Sequence, residues 1–238
     1  MSQPSRWAQK ASALYDATYA KRYRAHDEEF ESSRPCRDFA EWLRRVCRAF
    51  DAPIDVLDLG CGTGRYFWAL DHVRHLVGID ASASMLAEAA RPFHADRMTA
   101  ARITLIEDDV FAHTFEPDAF DLVYSIGVLA EHVPFDDAVA ARVHRWLKPG
   151  GRFAFTTVHP DSPSVPRTPG RRLGVRIEPV SPKPLRGWIR KRLLARGLYA
   201  DERRVRDVLG SMFDIESLER FESEAHLHCL CVARKGVS

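Results

Sequence analysis

The stretch Val56-Leu57-Asp58-Leu59-Gly60-Cys61-Gly62-Thr63-Gly64-Arg65-Tyr66 decides the fold of this chain. The apolar run from Ile54 to Leu59 predicts a buried strand, and the run from Arg65 to Leu70 is compatible with a helix. Three glycines at alternate positions lie between them. Glycine tolerates positive φ and has no Cβ, so the backbone of such a turn can approach a ligand closely. A helix N-terminus behind the turn would offer unpaired N–H groups to an anion. The order of strand, glycine turn and helix therefore predicts a site for a nucleotide-like ligand.

The spacing of the glycines narrows the choice of ligand. Dinucleotide folds carry G-x-G-x-x-G at this place, whereas this chain has G-x-G-x-G, preceded two positions earlier by Asp58, and lacks the Lys-Ser/Thr ending of a P-loop. The segment D-L-G-C-G-T-G resembles motif I of the class I S-adenosylmethionine (SAM) dependent methyltransferases. In that family the loop cradles the methionine part of the cofactor. The resemblance therefore implies cofactor contacts from Asp58, Gly60, Cys61, Gly62 and Gly64.

A second strand is predicted from His75 to Asp80, and its carboxylate follows the glycines by about 20 residues. An acid at this place accepts the ribose hydroxyls of an adenosine in dinucleotide folds. The resemblance accordingly assigns Asp80 to the ribose of SAM, with Ala81 beside it. The alternative is that Asp80 or Ser82 caps the helix predicted over 83–90.

A third strand runs from Ile103 into a group of acids. The family pattern has an acid here that takes the adenine amino group, followed by a small or apolar residue. The resemblance matches Asp109 to that acid, with Asp108 as the neighbouring candidate. The N–H of Val110 would then face an adenine ring nitrogen. Glu107 is interpreted as a solvated charge at the strand end.

Two further segments follow in the family's order. Residues 120–133 resemble its fourth strand and the loop after it, which adds Ser125 to the implied cofactor contacts. A helix is predicted from about Phe135 to Leu147, where the turn L-K-P-G-G stops it before a fifth strand. The resemblance implies an α/β fold with a seven-stranded, mostly parallel sheet in the order 3-2-1-4-5-7-6, the last strand antiparallel, and helices on both faces.

Composition agrees with one α/β domain, since 238 residues with 45% apolar side chains suffice for a single core. We predict an N-terminal cap of two helices over 1–50, a SAM-binding core over 51–158, a basic, proline-rich lid insertion over 159–205, and a closing helix and strand pair over 206–238. No apolar run is long enough to span a bilayer, and residues 1–10 carry no apolar signal core. Five scattered cysteines without a C-x-x-C pair indicate neither a zinc site nor a disulfide framework. We expect a cytoplasmic protein that needs no metal.

The predicted lid is strongly basic: thirteen arginines and lysines stand against four acids between residues 158 and 206, in a chain whose net charge is +2. Such a field favours an anionic partner. Three interpretations stay open: a solvated surface in an arginine-rich chain, a small anionic substrate, or peripheral contact with a membrane surface or a lipid-linked substrate. For the last, residues 185–194 could form a short basic amphipathic helix. A nucleic-acid partner is not expected, because no recognisable RNA module is present.

Candidate catalytic groups must lie at the carboxyl ends of the strands, beside the cofactor. A hydroxyl acceptor usually needs a general base, whereas a basic nitrogen needs only to be unprotonated. His132, after the fourth strand, and His159, just past the fifth, are placed for this role. The alternative for both is a structural hydrogen bond. His226 and His228 on a late strand are interpreted as packing or surface groups.

The opening helix carries Tyr19 and Tyr23 four residues apart, on one helical face. It resembles the first helix of many small-molecule methyltransferases, in which a tyrosine can fold over cofactor or acceptor. Packing of this helix onto the core is the alternative.

The expected function is therefore methyl transfer from SAM to a small metabolite, on a hydroxyl or carboxylate oxygen, with an anionic acceptor as one expectation. N-methylation and a lipid-linked substrate are the enzymatic alternatives, and a catalytically silent SAM-binding subunit is the non-enzymatic one. Aminopropyl transfer is disfavoured, because a polycationic substrate would not suit a basic lid. Nothing in the sequence indicates an oligomeric state.

Overall fold

The computed structural model describes residues 5–165, 170, 173, 177, 180–182, 185, 189, 198–223 and 226–237. Its centre is one seven-stranded sheet, formed by β1 (Ile54–Leu59), β2 (Val73–Asp80), β3 (Arg102–Glu107), β4 (Phe120–Ser125), β5 (Leu147–Val158), β6 (Phe213–Glu222) and β7 (Leu227–Lys235). The spatial order is β3-β2-β1-β4-β5-β7-β6. Strands β1 to β5 run parallel to one another, and β7 runs antiparallel to both of its neighbours, β5 and β6. The predicted fold class is confirmed.

The helices among the described residues are α1 (Arg6–Leu14), α2 (Ala17–Glu31), α3 (Arg34–Arg48), α4 (Ala83–Ala89), α5 (Asp137–Trp146) and α6 (Glu202–Leu209). The prediction of two N-terminal helices is wrong, since the same stretch forms three. Asp16 and Ser33 each begin a new helix: their side-chain oxygens accept the N–H groups of Tyr19 at 2.8 Å and Cys36 at 3.3 Å. These are N-caps, and they leave Tyr15 in the break between α1 and α2.

The helix predicted over Arg65 to Leu70 is also wrong. In the continuously described stretch 54–80, the glycine loop is followed by a single 3₁₀ turn, Phe67–Ala69. The physical reason lies in burial: every side chain from Tyr66 to Leu70 is buried, whereas an α-helix on a sheet would turn part of such a run toward solvent. The glycine loop therefore presents turn backbone, and not a helix N-terminus, to its ligand.

Two apolar layers enclose the sheet. On one face, α3 contributes Phe39, Trp42 and Leu43 to a core that also contains the 3₁₀ turn. On the other face, α5 and α6 pack through side chains such as Val143 and Val208. No helix of the described residues is long and apolar enough to cross a membrane.

The topology collects the loops of interest at one edge of the sheet. Because β1 to β5 are parallel, their carboxyl ends, among them Leu59, Asp80 and Val158, lie on the same side. Strand β7 runs the other way, so its first residues reach this edge, where His228 pairs with Val158. Most of the basic residues of the predicted lid lie outside the described residues.

Candidate active site

A cavity of about 1330 Å³ lies at the carboxyl edge of the sheet. Its wall combines the glycine loop, the ends of β1, β2 and β4, the N-terminal helices and the segment joining β6 to β7. Sites for one drug-sized ligand measure roughly 300–1,000 Å³. This cavity therefore has room for two small ligands side by side.

The glycine loop forms one wall of the cavity and is shaped by positive φ angles. Gly60 has φ +76°, and a Cβ there would lie 2.6 Å from a Val128 methyl group. Gly62 has φ +54°, and a Cβ there would meet Met85 Cε at 3.3 Å. Bare backbone thus passes where no side chain would fit. Gly60, Cys61 and Gly62, which are predicted to contact the cofactor, line the cavity.

Asp80 faces the same cavity at the end of β2, with Ala81 beside it. Its two carboxylate oxygens accept the backbone N–H groups of Gly62 and Ser82, both at 2.9 Å. Ser82, not Asp80, caps α4, because Ser82 Oγ accepts the N–H of Met85 at 3.2 Å. Burial raises the pKa of Asp80, against the lowering effect of the backbone donors. The carboxylate remains open to further donors such as ribose hydroxyls.

Buried carboxyl groups concentrate near the glycine loop. Burial raises the pKa of Asp58 to about 8, although the Tyr124 hydroxyl donates to it at 2.6 Å and opposes the shift. Burial also raises the pKa of Glu131 to about 7. Both side chains line the cavity. Groups whose charged form lacks compensation are stabilised by a cation, and SAM carries two, a sulfonium and an ammonium. The acids present therefore fit that cofactor.

Asp109 marks the other end of this wall. Its Oδ1 accepts the N–H of Phe111 at 2.9 Å, and its Oδ2 accepts the N–H of Ser5 at 2.6 Å. Asp109 and Val110 both line the cavity, as the family pattern implies for the adenine end. Asp108 instead points outward to His113, with its Oδ2 2.8 Å from Nδ1 of that ring. The start of α1 thus covers the predicted adenine position.

The tyrosines of the N-terminal segment form the roof. Tyr15, Tyr19 and Tyr23 all line the cavity. Tyr19 and Tyr23 stack with ring centroids 5.9 Å apart, and Tyr15 meets Tyr19 edge to face at 4.9 Å. Tyr15 had not been singled out in the sequence, because the break that releases it from the helix was not predicted.

An ion pair fixes this roof on the glycine loop. Asp27 of α2 accepts hydrogen bonds from Thr63 Oγ1 and Arg65 Nε, each at 2.5 Å. The Arg65 guanidinium also lies over the rings of Tyr23 and Phe30, at 4.6 and 4.9 Å from their centroids. The Asp27 side chain is completely buried, so helix α2 is held to the cofactor loop by a desolvated charge pair.

His132 lies in the cavity wall, in contact with the roof. The Tyr15 hydroxyl is 3.2 Å from Nε2 of its ring. Burial, with a smaller effect of Lys10, lowers the pKa of His132 below its ordinary value. The imidazole is therefore neutral near pH 7 and can accept a proton. Glu131 lies 3.8 Å away and adds a second titratable group to this side of the cavity.

His159 is not part of the cavity wall within the described part of the chain. The Asp161 N–H donates to its Nδ1 at 3.0 Å, so in the neutral ring the hydrogen sits on Nε2, which is 3.4 Å from Glu202 Oε2. Cys229 Sγ lies close by, which gives three groups of metal-ligand type within 4.8 Å of one another. Glu202 is also paired with Arg220, and ordinary hydrogen bonding accounts for this cluster. The structure therefore does not support His159 as a base.

Among the described residues, Gly64 and Ser125 also lie outside the wall. A Cβ on Gly64 would meet the Phe67 ring at 2.7 Å. Ser125 Oγ donates to the Leu59 carbonyl at 2.9 Å and ties β4 to β1. Both residues therefore support the cavity wall without contacting the cavity. Conversely, the wall includes Phe39, Glu131, His226 and His228, which the sequence did not single out as site residues.

Comparisons with known proteins agree with this geometry. Residues 56–151 match the family described as a methyltransferase domain. A segment of 109 residues is 38% identical to the malonyl-[acyl-carrier protein] O-methyltransferase of Enterobacter lignolyticus, covering 45% of this chain and 40% of that protein. Another of 100 residues is 30% identical to phosphoethanolamine N-methyltransferase 2 of Caenorhabditis elegans, covering 42% of this chain and 22% of that protein. The chain thus matches less than half the length of both curated relatives.

The crystal structure of an S-adenosylmethionine dependent methyltransferase from Mesorhizobium loti is similar over most of both chains. The TM-score is 0.56 at 25% identity, covering 82% of this chain and 98% of that chain. Fold and site together resemble those of the class I SAM-dependent methyltransferases, and the residues of the site fit SAM as the cofactor. The match to a methyltransferase domain covers residues 56–151, which is less than half of the chain.

Proposed function

We propose that this protein transfers a methyl group from SAM to an oxygen atom of a small-molecule acceptor. One observation carries the proposal: a single cavity contains the cofactor-facing residues Asp58 and Asp80 and also a neutral His132 in contact with the Tyr15 hydroxyl. The volume of about 1330 Å³ accommodates cofactor and acceptor together. A silent SAM-binding subunit would not need that combination.

The residues divide the work of such a reaction. When bound, SAM supplies a methyl group on a positively charged sulfur. The roof tyrosines and the glycine loop hold cofactor and acceptor in line, and alignment of this kind contributes about 7 kcal/mol or more to rate acceleration. His132 takes the proton from the acceptor hydroxyl, a role worth roughly 10²–10⁴ in rate. The Tyr15 hydroxyl orients the imidazole through their contact.

The choice of oxygen rests on the neutral imidazole. A basic nitrogen acceptor that arrives unprotonated needs no such group, whereas a hydroxyl does. The named relatives include both an O-methyltransferase and an N-methyltransferase. Arg34 and Arg220 also line the cavity, but each is already paired with a carboxylate, Asp38 and Glu202, so an anionic acceptor would compete with these partners.

Two measurements test the proposal. Calorimetry with S-adenosylhomocysteine (SAH) should show micromolar binding to the folded protein, and its absence would refute the cofactor assignment. Transfer of radiolabelled methyl from SAM to a panel of carboxylic acids, phenols and primary amines should label the phenols, because a carboxylate near pH 7 has no proton for His132 to remove. The His132→Ala variant should keep SAH affinity within about twofold and lose roughly 10²-fold or more in turnover on the labelled acceptor. Labelling confined to amines, or full turnover in that variant, would refute the oxygen assignment.

A further inference from the structure

His228 is a buried imidazole of the cavity wall, and one of its two ring nitrogens has no hydrogen-bond partner among the described residues. It lies near the start of β7, opposite Val158, and only 8% of the residue is exposed. Its Nδ1 is fully buried and has no hydrogen-bond partner among the described residues. The other cavity imidazoles differ in this respect: His26 is exposed, His226 Nδ1 is 2.8 Å from Ser164 Oγ, and His132 contacts Tyr15.

An unpaired buried nitrogen is costly. Buried polar side-chain atoms are hydrogen-bonded in the large majority of cases, and leaving one without a partner costs about 1–3 kcal/mol. Burial, with a smaller effect of His226, lowers the pKa of His228 to about 4. The ring is therefore neutral near pH 7 and offers one N–H donor and one lone pair. Because Nδ1 is enclosed, a ligand in the cavity can hydrogen-bond only Nε2, through a group that accepts or donates according to the tautomer, and a hydroxyl can do either.

The surroundings of His228 are aromatic. The Phe39 ring meets the imidazole edge to face with centroids 5.6 Å apart, and the Phe221 ring lies 6.4 Å away. Phe39 is also 4.8 Å from Phe221 and 6.2 Å from Tyr66. Rings at such separations favour a further planar ring packed edge to face or offset. All four side chains line the cavity.

We propose that His228, Phe39 and Phe221 form the acceptor subsite, and that the His228 imidazole hydrogen-bonds a phenolic hydroxyl of a planar aromatic acceptor. This inference rests on the proposed methyl transfer to oxygen and specifies its substrate class. His228 recognises and positions the ring. It is too weak a base to take the acceptor proton, a role that remains with His132.

The test uses phenol as the probe and fluorobenzene as its match without a hydroxyl. Both are titrated into protein with ¹⁵N-labelled histidine, with and without saturating SAH, while the ring nitrogens are followed by NMR. The His228 signals are assigned by their loss in His228→Phe. We expect phenol to shift them and to bind at least about tenfold more tightly than fluorobenzene, the ratio that corresponds to one recovered hydrogen bond.

Variants separate recognition from packing. His228→Phe keeps an aromatic ring and should bind both probes with equal affinity. His228→Gln, which restores an amide near the position of Nε2, should recover part of the preference. His144→Phe is the matched control, because that imidazole packs on Phe213 at 5.2 Å on the opposite face of the sheet. It should bind phenol like the unmodified protein.

The outcomes separate this inference from the proposed function. Equal affinity for the two probes in the unmodified protein, or a phenol preference that survives in His228→Phe, overturns the subsite. Movement of the His226 signals without those of His228 overturns it as well. If His228→Phe does not fold, the wild-type shifts and the Gln variant still decide. Failure of SAH to bind refutes the proposed function alone, because the titration without SAH reports His228 independently.

Discussion

Replacement of Asp27 by asparagine removes a charge from a buried pair while keeping the shape of the side chain. Asp27 is completely buried and accepts hydrogen bonds from Thr63 and Arg65, each at 2.5 Å. The amide that replaces the carboxylate would still accept from one donor. The Arg65 guanidinium, whose side chain is 18% exposed, would lose its counter-ion and keep only its contacts with Tyr23 and Phe30.

The expected cost follows from this uncompensated charge. Breaking a buried ion pair by removing one partner destabilises a protein by about 3–5 kcal/mol, against a total stability of roughly 5–15 kcal/mol for a domain. With a urea m-value near 3 kcal/mol/M, the midpoint of unfolding of Asp27→Asn should fall by about 1 M or more. Because α2 carries the roof of the cavity, SAH affinity should fall with it.

Urea unfolding followed by tryptophan fluorescence measures this effect. Asp38→Asn is the matched control, because Asp38 pairs with Arg34 on an exposed face of α3 at 3.3 Å, and such pairs are worth at most about 1 kcal/mol. The double variant Asp27→Asn with Arg65→Met removes both charges and should be more stable than the sum of the two single losses predicts. A midpoint for Asp27→Asn equal to that of the control, or additive losses in the double variant, would refute the reasoning.

Three further predictions concern the site itself. Calorimetry should show SAH affinity falling more than about tenfold in Asp80→Ala, whereas His159→Ala, whose partner Glu202 lies away from the cavity, should stay within about twofold of the unmodified protein. Initial rates measured from pH 5 to 9 should fall on the acid side as His132 becomes protonated. The midpoint of this fall should lie below the ordinary imidazole pKa of 6.5, because burial lowers the pKa of His132 and the active neutral form persists to lower pH. Glu131→Gln should keep the same midpoint, whereas an unchanged acid limb in His132→Ala would show that another group causes it. Gly60→Ala should lower the free energy of unfolding by about 2 kcal/mol or more, since it adds strain at φ +76° and a methyl group 2.6 Å from Val128, and a thermal midpoint equal to that of the unmodified protein would contradict this.

The sequence predicts the position of residues that lie within or directly after a recognisable strand. Strands β1 and β4 are short, largely buried runs, and the acids at or just after the ends of β2 and β3 lie at one edge once the sheet is parallel. Asp80 and Asp109 both line the cavity, and their contacts with the cofactor stay a prediction. The helix after the glycine loop failed because helical compatibility says nothing about burial on all sides, which the aromatic run from Tyr66 to Trp68 requires.

The cavity wall includes His228 but not His159, and the direction of β7 explains this difference. His159 follows a parallel strand and so reaches the functional edge, but its ring turns to Glu202 behind the cavity wall. His228 was interpreted as a packing group although the predicted order 3-2-1-4-5-7-6 already had β7 antiparallel. An antiparallel strand brings its first residues, not its last, to the carboxyl edge of its neighbours, as the pairing of His228 with Val158 shows. The predicted strand order therefore already implied that His228 lies at the carboxyl edge, although no local sequence motif marks it.

This placement explains why the sequence predicts the residues on the cofactor side of the cavity but not those of the proposed acceptor subsite. The cofactor wall is built from β1 to β4, where one loop per strand supplies each contact and spacing along the chain mirrors spacing along the sheet. The proposed acceptor wall joins Phe39 of α3 to Phe221 and His228, residues about 190 positions apart. Only the fold brings them together, so a substitution in α3 and one in the β6–β7 pair would change the same part of the cavity wall. We therefore expect acceptor specificity to depend on the N-terminal helices and the β6–β7 pair, in addition to the basic segment 159–205 to which charge alone directed attention.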